Sequence, residues 1–595
     1  MLMNRIGPSQ SELYIANADG SGERKLLSTS GGFDYHPTFS YDGQWIVFTS
    51  ERSGSGKADL YRVHPRGDGL EQLTGDPAMD DQGALSPDGA NVAFVSSRET
   101  HRANIWILDL RTKKMRNLTG AIGIQGDPLK PNGFYRPQWS PDGNWIAFSS
   151  DRNTDWRTHD DNVGWEHLQE LAIYVVRPDG SEFRRITGSG ITSGSPKWSA
   201  DSKRIVYYEM PVQTSWLARV DQLSKSATSQ IVSVSLETGK RTVHTHGEGL
   251  KMQPQFLPAG RIGHTTKSAQ TTGITYTDAA AASFPENMRS PSWSPDGAQV
   301  VYAKIDNTSR PQYQLLYSWD AEFELRYTDV FPGFSADGTL VVTAKDVDSS
   351  IVTMNADGTN RKLVFKSATK CSGNQPGPCG DMDGVAFGPS WSPDGEWIVF
   401  SFGGYLRLRK THVAKIMLIR RDGADLQELT TGTPNAGFPS FSPDGKEVVY
   451  RTWGPNQEGL RIMNLETRQV RVLTDQLDNL PHWSVNNVIV FTRRSADNVF
   501  DIFTIHPDGA NLKKLTGFPA ADGHAVWSWD GKHIMWNSSE RGFKDEASLY
   551  DNTFQPYGQN WMMNADGTNK RQLTDSHWED SMPCIVPPYA RFGSR

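Results

Sequence analysis

Two stretches of this 595-residue chain gather side chains able to do chemistry. The first, SDRNTDWRTHDDNVGWEHLQELAIYVV from Ser150, carries Trp156, His159, Asp160, Asp161, Trp165, Glu166, His167 and Gln169. Indole rings beside carboxylates and amides suit a sugar, because a flat apolar face stacks while hydroxyls find acceptors. The same composition also fits a surface loop whose Trp side chains pack on neighbouring elements. The second, SERGFKDEASLYDNTFQPYGQNW from Ser539, carries Lys544, Asp545, Glu546, Tyr550, Gln555 and Tyr557, and HWED follows from His577.

Composition narrows the chemistry. The apolar set is 36%, and with 55 Gly it reaches about 45%, the ordinary globular range. A net charge of −7 argues against a general nucleic-acid binder. The apolar runs are too short to cross a bilayer as helices. MLMNRIGPSQ at the start does not read as a signal peptide, and export stays compatible with that. Three cysteines rule out a disulfide scaffold. Cys371 and Cys379, in CSGNQPGPC, fit either a local disulfide or two free thiols, and Cys584 is left over. Neither a GxSxG elbow nor an HExxH pair occurs.

The elements that must position these side chains come from a repeat. An aromatic or Leu, then Ser, a turn and an apolar strand recur as FSYDGQWIVF (Phe39), LSPDGANVAF (Leu85), WSPDGNWIAF (Trp139) and WSADSKRIVY (Trp198). A worn copy, FLPAGRIGHT (Phe256), precedes WSPDGAQVVY (Trp293), FSADGTLVVT (Phe334), WSPDGEWIVF (Trp391) and FSPDGKEVVY (Phe441). WSVNNVIVF (Trp483), WSWDGKHIMW (Trp527) and a fragment from Cys584 complete the series. The copies lie 37 to 59 residues apart, the period of a four-stranded propeller blade. Asp-Gly supplies the positive φ of a hairpin turn. NADG at Asn17, Asn355 and Asn564 therefore reads as a turn rather than a calcium loop.

Both ends of the chain are half-units: outer strands first, inner strands last. Ring closure removes exposed strand edges, so such ends suit a closed propeller. The expected fold is all-β, with two six-bladed β-propellers over residues 1–308 and 309–595. The crossover falls in DNTSRPQ, near 305–312. The repeated aromatics should be buried between blades.

The WSPDG-type units resemble the TolB-like (PD40, WD40-like) β-propeller repeats along essentially the whole chain. That resemblance implies fold and leaves function open. Its relatives include periplasmic scaffold proteins, propellers attached to peptidases and amidohydrolases, and oligogalacturonate lyases, which hold a divalent metal with His and Gln. His36, Gln82, Gln253 and His167 could imitate that set, but no local motif matches, so no metal site is carried over. No cofactor is required, and a divalent metal stays open. A periplasmic or secreted location is the family expectation.

In such a fold the loop entering each innermost strand lies at the channel mouth. Registering the copies on their aromatic, the residue three before it is His36, Gln82, Arg136, Ser195, Gln253 and Ser290 in the first six. In the last six it is Phe331, Gly388, Phe438, Leu480, His524 and Met582. The first ring thus presents polar groups and the second mostly apolar ones. The favoured reading is a carbohydrate-active lyase or hydrolase on an oligo- or polysaccharide, with Arg136 placed to hold a uronate carboxylate. His36 or His167 would be the base and Glu166 or Asp81 the partner acid, while a lyase would use a His/Arg/Tyr set, for which Tyr135 is available. Asp81, Gln82, Tyr135, Trp165, Gln169 and Gln253 would bind substrate. The other reading is a scaffold for a protein or peptide partner, and the rival site is His524 with Lys544, Glu546 and Tyr557. Neither nucleic acid nor a membrane span is expected.

Overall fold

The computed structural model describes residues 1–6, 10–28, 33–54, 56–156, 170–217, 227–268, 272–278, 284, 288–306, 314–318, 329–344, 350–367, 384–404, 413–495, 499–543, 545–546, 549 and 558–588. Among them the fold is all-β: 46 strands, one short helix (Val212–Leu217) and one 3-10 turn. The strands form twelve antiparallel sheets, ten of four strands and two of three.

The first strands of these sheets lie side by side in two closed series. One runs through Asp34–Phe39, Asp80–Leu85, Phe134–Trp139, Ile191–Trp198, Leu250–Phe256 and Met288–Trp293 and returns to its start. The other runs through Val330–Phe334, Val385–Trp391, Asn435–Phe441, Asp478–Trp483, Asp522–Trp527 and Glu579–Cys584. The sheet of Met288–Trp293 is completed by the N-terminal strands Gln10–Asn17 and Arg24–Lys25, as the half-units led one to expect. The strand Leu2–Ile6 behaves differently. It lies between Glu579–Cys584 and Gln314–Ser318, in the second series. Its five residues carry no turn or repeat signal, so only the pairing reveals where they belong. Buried Arg5 fixes it with a two-pronged ion pair to Asp580 at 2.5 and 3.0 Å.

Local chemistry explains the recurring motif. Ser40 donates its hydroxyl to Asp42, and the same Asp oxygen accepts the Gln44 amide. The pattern repeats at Ser86–Asp88, Ser140–Asp142 and Ser294–Asp296. In the NADG turns Asp19, Asp357 and Asp566 likewise accept from a hydroxyl two residues on. These carboxylates are turn formers. The Arg after the second strand pairs with a first-strand Asp, as in Arg52–Asp34 and Arg98–Asp80, so it too is scaffold.

The register aromatics are buried: Phe39, Trp139, Trp198, Trp293, Trp391, Trp483 and Trp527 are each at most 9% exposed. Trp293, at 1%, packs where a Cβ on Gly263 would lie 2.5 Å from its ring, and its indole donates to Tyr276. Trp293→Ala should destabilise by about 3–5 kcal/mol in denaturant unfolding, and Gly263→Val should destabilise by a clash with the same ring. An unchanged midpoint for Trp293→Ala would disprove its place between the sheets.

Candidate functional site

Each first strand is interrupted at the registered position. All twelve of these residues sit at φ between 49° and 59°, in the left-handed region. The ladder slips there in every sheet, as between Tyr35 and Thr38, Tyr135 and Gln138, or Phe387 and Ser390. This is a β-bulge, which re-aims a side chain.

In the first series the bulge residues His36, Gln82, Arg136, Ser195, Gln253 and Ser290 line one small cavity of about 40 Å³. Sequence registration had grouped these six. One level further along the strands, Thr38, Gln138 and Lys197 line the same space. Lys197 went unnoticed in the sequence, although reading two residues past each bulge would have found it.

The opposite side of the ring is filled from the second series. Asp545 and Glu546, both 1% exposed, come from the eleventh unit. Asp545 accepts from Gln82 at 2.9 Å and pairs with Arg136 at 3.1 Å. Glu546 pairs with Arg136 at 3.1 Å and accepts the Ser195 hydroxyl. A Cβ on Gly194 would lie 2.2 Å from Glu546, so only glycine leaves room. Phe543 of the same segment packs on Tyr135 and His577. Asp545 and Glu546, which the sequence placed in a rival site, thus contribute to the first ring beside Gln82, Arg136 and Ser195.

His577 arrives from the last unit. It stands 3.3 Å from Asp81, whose other oxygen is 2.7 Å from His36 Nδ1 and also accepts from Thr49 and the Gln82 amide. Burial opposes ionisation of Asp81, yet His36 and His577 hold its carboxyl well below the ordinary range. Burial lowers His36 despite Asp81, while the Asp81 contact outweighs burial at His577 and raises it. His577 therefore holds a proton more firmly than His36, and since an ionised Asp81 only accepts, Nδ1–H of His36 is the donor between them. Burial raises Glu546 in spite of Arg136. Burial, then Arg136, lowers Lys197 to about 7.

Other expected residues fall elsewhere. Tyr135 is buried against Phe543 and lines a separate crevice with Arg102 and Asp151, so it does not face the channel cavity. Trp156 donates to the Leu129 carbonyl and meets Phe518 edge-on. Trp165, Glu166, His167 and Gln169 lie outside the described residues, as do Cys371, Cys379, Lys544, Tyr550, Gln555 and Tyr557. His524 sits in the second channel, away from Glu546's ring. Of possible metal ligands among the described residues, His36, Asp81 and His577 lie within 4.8 Å of one another. Two imidazoles and a carboxylate form a donor set suited to a divalent transition metal.

The second channel has the opposite character. Its cavity of about 370 Å³ is walled by Phe331, Phe438, Leu480, Trp483, Trp529 and Met582 among others. No Asp, Glu, Lys or Arg is among its described lining residues. His482 and His524 are held near 4 by burial and are neutral at pH 7.

A family model described as the TolB beta propeller domain matches residues 2–135 and 76–227. Over residues 2–227 the repeats are thus similar to those of TolB beta propellers. A TolB homolog of Chlorobium luteolum is 33% identical over 122 residues, 20% of this chain and 28% of the relative. An uncharacterized peptidase of Bacillus subtilis is 26% identical over 204 residues, 30% of this chain and 27% of that protein. The matches thus take in under a third of these relatives' length. Among solved structures, an oligogalacturonate lyase in complex with manganese aligns over 82% of this chain and 95% of its own, at 14% identity and a TM-score of 0.21.

The Arg136 cluster generates a stability prediction. Arg136→Ala leaves Asp545 and Glu546 buried without their cation and should cost about 3–5 kcal/mol. Adding Asp545→Asn and Glu546→Gln to Arg136→Ala should recover much of that loss in thermal unfolding. Strictly additive effects would mean the three groups do not interact.

Proposed function

We propose that this chain is a non-catalytic TolB-like binding protein whose second channel takes an uncharged, apolar peptide segment. In this reading the two closed series are separate propellers, 1–308 and 309–595, with Leu2–Ile6 laced into the second. The observation that carries it is the second cavity: about 370 Å³, in the size range of ligand sites, and free of charged side chains among its described lining residues. A uronate-bearing sugar needs a cation for its carboxylate, and no Lys or Arg is among the described lining residues. An apolar segment needs neither, and Phe331 and Phe438, 5.8 Å apart, offer it an aromatic seat. A periplasmic or secreted location belongs to the same proposal. No helix among the described residues is long and apolar enough to cross a membrane.

One observation favours the enzyme reading: His36, Asp81, His577 and Glu546 gather around Arg136 with shifted proton affinities, as catalytic groups do. Against it stands size. A cavity of about 40 Å³ holds a few waters, not a pyranose. A divalent metal at His36, Asp81 and His577 belongs to this second reading.

Panning a phage-displayed library of linear peptides on the full chain should enrich uncharged sequences with an aromatic or aliphatic anchor. Phe438→Glu should abolish their binding, while Arg136→Met/Asp545→Asn/Glu546→Gln should leave it intact. A polysaccharide screen should release neither reducing ends nor unsaturated uronates. No enrichment, or enrichment indifferent to Phe438→Glu, would sink the proposal, and turnover lost in His36→Ala would favour the enzyme instead.

A further inference from the structure

The first channel contains a basic side chain without an acid partner among the described residues, a feature the second-channel proposal does not touch. Its wall has two levels. The bulge level carries His36, Gln82, Arg136, Ser195, Gln253 and Ser290, and the next carries Thr38, Gln138 and Lys197. The cavity between them is lined by two cationic side chains and by amides and hydroxyls. No carboxylate is among its described lining residues. Arg136 has its acids on the far side, in Asp545 and Glu546. Lys197 has none: its ammonium donates to the Gln138 side-chain carbonyl at 2.8 Å, and it forms no ion pair among the described residues.

Two further donors point the same way. Gln253 and Ser290 are 6% and 5% exposed and line this cavity. The Gln253 amide nitrogen and the Ser290 hydroxyl find no hydrogen-bond partner among the described residues. A buried donor left unmatched costs about 1–3 kcal/mol. Lys197 is half-buried beside a guanidinium and holds its proton only to about pH 7, and an anion beside it would favour the charged form. One occupant answers all of these at once: a group with negative charge and several lone pairs, small enough for about 40 Å³. Water supplies the lone pairs but not the charge.

We propose that the first channel binds a small monovalent anion, of the size of chloride or formate, held by Lys197 with Gln253 and Ser290. Size excludes a sugar acid, and the absence of a second unpaired cation among the lining residues disfavours a dianion such as sulfate. Binding adds no bond to the protein. It places the missing counter-charge beside Lys197 and gives the two donors an acceptor.

The test uses the full chain in a gluconate buffer at constant ionic strength, replacing gluconate stepwise by chloride or formate. Wild type should show a saturable rise in Tm with chloride or formate and none with sulfate. Lys197→Met, whose side chain is nearly isosteric but uncharged, should lose the chloride response and be more stable than wild type in gluconate. Crystals soaked in bromide should show an anomalous peak within hydrogen-bonding distance of Lys197 Nζ. Equal Tm in chloride and gluconate, an equal rise in Lys197→Met, or bromide bound only elsewhere would each overturn the proposal. Should Lys197→Met fail to fold, the wild-type bromide peak still decides.

Discussion

The left-handed residue in each innermost strand is the constraint on which this structure turns. Eleven of the twelve are not glycine, and all hold φ near +50°. An L-residue there costs roughly 1–2 kcal/mol, so no isolated strand would keep the kink. It persists because each first strand is fixed by its partner in the sheet and by the first strands on either side around a closed series. The kink in turn aims one side chain per sheet into the channel. Closure thus holds the strain, and the strain sets the lining of the channel. The chemistry of that lining is free to vary from one series to the other, because no packing rule fixes it.

Much of this was legible in the sequence. Trp139 and Trp293 recur at one register beside Asp-Gly turns, and short-range turn chemistry is what single sequences record best. Registering on those aromatics also identified all twelve bulge residues, since the bulge lies at a constant offset. Three things were not legible, for a common reason. Leu2–Ile6 pairs with residues more than 300 and 570 positions away. Asp545 and Glu546 reach Gln82 and Arg136 across more than 400 positions. Tyr135 neighbours Arg136 in sequence but, one residue off in an alternating strand, points elsewhere. Each depends on a long-range contact or on a side-chain direction that carries no local motif.

Polar groups aimed into a narrow channel must find partners or be penalised. On one side of the first ring those partners are Asp545, Glu546 and His577, all supplied by late units of the chain. Trp578 adds to this by donating to Glu51 at 2.6 Å while packing on Phe33 and Tyr35. The late units thus satisfy Gln82, Arg136 and Ser195 where water would otherwise do so. An apolar bulge ring, like that of Phe331, Phe438 and Leu480, would offer such a segment nothing to bind.

The two channels differ for that reason in what they leave available. In the first, the polar ring is covered on one side by the chain's own acids, and what remains is a space a few waters wide with Lys197 beside it. In the second, the bulge side chains are apolar except His524, no Asp, Glu, Lys or Arg is among the described lining residues, and the cavity is roughly nine times larger. Such a wall offers no charge that would draw in an acidic or basic segment of the chain. A polar ring recruits its partners from within the molecule and becomes part of the fold. A ring without charged groups recruits none, and on that ground the proposals place a peptide segment in the second channel and a single small ion in the first.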